Sequence, residues 1–77
     1  MSALKDYIKQ RNAWNGLFGE KPMAMPTTPK EAEAVIFIVE GELSPENLWC
    51  DGEASPAHVR REIKRLGAVM SELEAIA

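Results

Sequence analysis

From residue 59 to the C-terminus, apolar side chains return at Val59, Ile63, Leu66, Met70, Leu73 and Ala77, in steps of four, three, four, three and four. That is the seam of a helix packed along one side, and Val69 and Ile76 widen it beyond a two-stranded seam. It predicts a helix over about 56–76, weakened in the middle by Gly67. The N-terminal segment is amphipathic as well. Leu4, Ile8, Trp14 and Phe18 fall on roughly one face, while Lys5, Asp6, Lys9 and Gln10 fall elsewhere. A helix over about 2–17 is expected, stopped by Gly16 or Gly19. Arg11 interrupts its stripe, which is tolerable because the stem of an arginine covers apolar surface while its head stays wet.

Between these segments the pattern is ambiguous. Val35, Ile36, Phe37, Ile38 and Val39 form an unbroken apolar run whose composition suits a strand. A strand here would be the only convincing one and would lack a partner for its backbone groups. The flanking signals favour a helix over about 29–40: Thr28 and Glu31 have capping-box spacing before the run, and Gly41 follows it. Such a helix is apolar on nearly every side and must be central or covered by a second subunit. Residues 19–28, "GEKPMAMPTT", read as an extended linker pinned by Met23 and Met25.

Three Ser/Thr-Pro pairs punctuate the chain at Thr28-Pro29, Ser44-Pro45 and Ser55-Pro56. A hydroxyl residue at the N-cap accepts from an orphan N–H, and proline at the first helical position has no N–H to orphan. Helix starts are therefore expected near residues 29, 45 and 56. The stretch between the second and third long helices becomes a connector: Gly41 ends one helix, Ser44-Pro45 starts a single turn near 45–49, Asp51-Gly52 reverses the chain, and Ser55-Pro56 starts the last helix. The fold class is all-α, a single small helical domain over 1–77. Its second and third long helices form an antiparallel hairpin, and the first packs across it.

Seventy-seven residues bury too little surface for a comfortable stability margin. Small chains gain one from disulfides, a metal or assembly. Cys50 is alone, and one Cys with one His falls short of a four-ligand zinc site. Assembly remains, so a homodimer or small oligomer is expected, with Val35, Ile36, Ile38, Val39, Ile63, Leu66, Met70 and Leu73 as its interface. The lone thiol and the lack of a secretory or membrane-spanning segment point to a cytoplasmic setting.

The chemically suggestive residues have plain alternatives. Cys50 and His58 are of the right types for a nucleophile and base, yet no third orienting group and no oxyanion hole are signalled. Asp51, Glu53 and Glu46 lack the alternating pattern of a calcium loop. No enzyme activity, cofactor or metal is expected. Arg60, Arg61, Lys64 and Arg65 form the one concentrated basic patch, in a chain of net charge −3. Positive charge early in a helix opposes the macrodipole, and Glu72 and Glu74 late in the same helix oppose it too. Something outside the helix must favour that arrangement. An antiparallel neighbour would do so, bringing Glu40 and Glu42 near the arginines, and so would an antiparallel pairing with a second copy. Trp49 either closes the core between the helices or stands exposed as a contact anchor.

The run "GELSPENLWCDGEASPAHVRREIKRL", residues 41–66 and about a third of the chain, resembles small uncharacterised proteins encoded by phages and prophages. They too place an "LSPENL…DGE" connector before a basic helix. The resemblance implies a phage accessory protein, a class that acts by binding a host enzyme or defence complex, and it carries over no catalytic residue. The expected function is therefore a non-enzymatic protein-interaction module, with Trp49, Arg60, Arg61, Lys64 and Arg65 as its contact residues. The alternative is a nucleic-acid-binding accessory protein using the same cations.

Overall fold

Each Ser/Thr-Pro pair starts a helix. In a computed structural model, which describes residues 2–49 and 55–77, the elements are α1 (Ala3–Gly16), α2 (Pro29–Glu42), α3 (Pro45–Leu48) and α4 (Pro56–Ile76). The hydroxyls of Thr28, Ser44 and Ser55 accept the backbone N–H groups of Glu31, Asn47 and His58 respectively. Ser2 caps α1 in the same way, accepting from the Lys5 N–H at 3.1 Å. No strand occurs among the described residues, so the apolar run 35–39 is helical. The expected Asp51-Gly52 reversal, with Cys50 and Glu53, lies outside the described residues.

α1 ends through Gly19, whose φ of +78° suits glycine alone without strain; the Gly19 and Glu20 N–H groups turn back to the carbonyls of Gly16 and Asn15. Gly41 does not end α2. The helix continues through Glu42, and the Leu43 N–H still reaches the Val39 carbonyl at 2.9 Å. The stop is set further on by Pro45, which drives Ser44 out of the helical region. The two added residues carry Glu42 onto α1.

α2 and α4 pack closely as an antiparallel hairpin. α1 also runs antiparallel to α4: Leu4 at its start meets Glu72 near the end of α4, and Gln10 meets Arg65 one stretch earlier. α1 and α2 therefore point the same way, and residues 17–28 must travel back the length of a helix, about 20 Å. In extended form, at about 3.3 Å per residue, they do so with length to spare. Asn12 pins the return, its amide donating to the Met23 carbonyl at 2.9 Å and accepting the Met23 N–H at 2.7 Å. Met23 packs on the core as expected, whereas Met25 is exposed.

The core takes Leu4, Tyr7 and Ile8 from α1, Ala32, Val35 and Val39 from α2, and Leu66, Val69 and Leu73 from α4. The expected α1 stripe holds only in its first half. Trp14 and Phe18 are exposed, and Tyr7 is the buried residue in their place.

Glu72 explains part of the reversed charge on α4. It opposes the dipole of its own helix but sits at the positive end of α1, accepting the Leu4 N–H at 2.9 Å and the Ser2 hydroxyl. Those bonds, the Ser2 hydroxyl first, hold its carboxyl below the usual range. A depressed carboxyl contributes stability above its unfolded pKa, about 4.3, and loses it as pH falls through the lower folded value. Glu72→Gln should therefore lower the melting temperature at pH 7, and the gap to the parent chain should close as the pH drops below about 4. Equal melting temperatures at pH 7 would mean that this contact contributes nothing.

Candidate functional site

The charged groups between the helices form one connected joint. Glu42, brought over by the last turn of α2, accepts the Tyr7 hydroxyl at 2.9 Å and the Arg11 guanidinium at 3.1 Å. Over the Tyr7 ring, the Arg65 guanidinium lies 5.9 Å from the centroid. Arg65 also forks onto Glu62, at 2.7 and 3.3 Å, and reaches the Gln10 amide oxygen at 3.4 Å. The fork holds the Glu62 carboxyl below its ordinary range and raises Arg65. Burial, then the neighbouring Glu42 charge, pushes the Tyr7 hydroxyl up to about 12.

Next to this joint, α1 and the start of α4 leave a cleft of about 440 Å³, lined by Tyr7, Arg11, Trp14, Leu48, His58 and Arg65 among others. Its chemistry is that of a satisfied joint. Tyr7 is held protonated as a donor, and each carboxylate is matched to an arginine. No cluster of three or more metal-ligating side chains occurs among the described residues. His58 lies on the cleft wall, its backbone N–H donating to the Ser55 hydroxyl at 3.2 Å; Cys50 lies outside the described residues.

The residues singled out in the sequence are distributed unevenly. Arg60, Arg61 and Lys64 are exposed on α4. Arg65 is not part of their patch: it turns toward α1, half-buried, with its charge committed to Glu62. Glu42 does come near Arg65, yet its ion pair is with Arg11, and Glu40 stays exposed. Trp49 is half-exposed at 51%. Of the expected oligomer interface, Val35, Val39, Leu66 and Leu73 are buried within the single chain, and Ile36, Ile38 and Met70 are partly buried. Ile63 remains open, at 48% exposure.

Sequence reasoning missed the surface at the end of α1. Trp14, Leu17 and Phe18 are 64%, 76% and 69% exposed, and the Trp14 and Phe18 rings meet edge-on at 5.7 Å. The signal was present in the spacing: Trp14 and Phe18 stand a turn apart, and the polar Arg11 and Asn15 interleave with them on the same side. A core stripe does not alternate in that way.

No protein-family model matches the chain, and no significant match exists among curated proteins or solved structures.

Proposed function

We propose that the chain is a non-enzymatic protein-interaction module whose contact surface is the cleft end of the bundle. The observation that carries this reading is the exposed group Trp14, Leu17 and Phe18, beside a cleft with arginines and Leu48 in its wall; the exposed Trp49 follows Leu48 in the chain. Rigid aromatics next to a desolvatable arginine are the composition of interface hot spots. The ligand is a polypeptide that inserts apolar anchors against Trp14 and Leu48 and meets the Arg11–Glu42 pair. The resemblance of residues 41–66 to phage and prophage proteins directs the search to host proteins, in the host cytoplasm.

The test is affinity capture from host lysate with three baits: the parent chain, Trp14→Ala combined with Phe18→Ala, and Arg61→Ala combined with Lys64→Ala. The exposed positions should leave the melting temperature nearly unchanged, since such substitutions fall within about 0.5 kcal/mol. The aromatic variant should lose the captured protein and the basic variant should keep it. Retention by the aromatic variant would overturn the reading.

The second reading is nucleic-acid binding by Arg60, Arg61 and Lys64, favoured by their exposure on one helix. Three phosphate contacts would give a salt slope of about −3 in log affinity against log salt. A salt-insensitive complex removes it.

A further inference from the structure

We propose that a second copy of this chain docks on the side of α4 turned away from α1, the two α4 helices crossing antiparallel at Gly67. The face consists of Arg60, Ile63, Gly67, Met70 and Glu74, whose alternating steps of three and four place them along one side of the helix. It is distinct from the side that Glu62, Arg65 and Glu72 give to α1. Arg60, Gly67 and Glu74 are exposed, Ile63 is 48% exposed, and Met70 is partly covered.

Charge selects the occupant. Arg60 and Glu74 stand one heptad to either side of Gly67, with opposite sign, and neither makes an ion pair among the described residues. A two-fold axis through Gly67 sets Arg60 of each copy against Glu74 of the other, so the surface is its own complement. A parallel pairing would set like charges together. The same arrangement accounts for two more of the reversed charges on α4, Arg60 and Glu74. Arg60 opposes the dipole of its own helix, and Glu74 does too, but each meets the favourable end of an antiparallel neighbour.

Gly67 points the same way. It weakens the middle of the longest helix, its φ is not left-handed, and a Cβ built on it would meet nothing within 4 Å. Nothing among the described residues needs a glycine there. At a helix crossing, the missing side chain lets two backbones come close.

The experiment is sedimentation equilibrium of the full chain in reductant, which excludes a Cys50 disulfide, with helix content followed by circular dichroism. The parent chain should reach twice 8.5 kDa as concentration rises. Arg60→Glu alone and Glu74→Arg alone should each raise the dissociation constant about tenfold, because two symmetry-related pairs turn repulsive. The two together should return it to within about threefold of the parent. Gly67→Leu should abolish the dimer and keep the helix. A parent chain that stays monomeric up to about 1 mM overturns the proposal. So do single swaps without effect, or a double swap that fails to recover. None of these outcomes touches the cleft end of α1, which stands or falls on its own capture experiment.

Discussion

Leu66→Ala should remove 2–5 kcal/mol of stability, a typical cost for truncating a buried leucine in a core that cannot collapse around the gap. Leu66 is 1% exposed and sits where all three long helices contribute to one cluster. A chain of this length holds only about 4–12 kcal/mol in total, so the loss is a large share and at the upper end leaves the fold barely populated. The urea midpoint should fall steeply with little change in slope, since the surface exposed on unfolding is almost the same. Phe37→Ala is the matched contrast. Phe37 is larger, but it is 79% exposed on the outer side of α2, and its loss should stay within about 0.5 kcal/mol. If both variants lost the same amount, the apolar run of α2 would be turned differently against α4.

Tyr7, the chain's one tyrosine, should ionise near 12 rather than near 10. Its phenolate absorbance reports on it without interference from another tyrosine. Burial is the main cause, followed by the charge of the Glu42 carboxylate that accepts a hydrogen bond from it; Arg11 works in the opposite direction. The sign follows from which state holds the proton. Between about 10 and 12 the unfolded chain has lost this proton while the folded chain keeps it, so stability is intact below about 10 and falls as pH rises through that window. Phenolate should therefore appear late and together with loss of helix. Glu42→Gln should bring the midpoint down without returning it to 10, because burial remains. An early midpoint near 10 in a chain that stays helical would place the Tyr7 hydroxyl in water and dissolve the joint between α1 and α2.

These two experiments address features of different legibility. Leu66 and Leu73 stand on the seam that the spacing of α4 announces, so their burial needed no structure. Tyr7 was passed over for Trp14 and Phe18, which are more apolar and sit on nearly the same side of α1. What separates them is where α1 ends relative to its neighbours. Its first half lies on α4, and its second half borders the cleft. Amphipathic spacing records which way a side chain points but not whether anything stands opposite.

The basic patch shows the same limit. Four cations close together on one helix read as one surface, yet Arg65 turns to Glu62 and Tyr7 while Arg60, Arg61 and Lys64 stay in water. The reversed charges on α4 were visible as an anomaly, and an antiparallel neighbour was the right kind of cause. For Glu72 that neighbour proved to be the N-terminus of α1, which local pairing rules do not reach at a sequence separation of 68.

By itself the sequence determined the all-α class, the starts of three helices and the seam of α4, because capping and periodicity are local and depend on residues a turn apart. The tertiary structure alone decided that α2 continues past Gly41, that Glu42 and Glu72 each serve another helix, and that the aromatic end of α1 is left uncovered. These depend on which surfaces meet after the linker has carried the chain back, and burial and charge pairing at that range are properties of the packed chain.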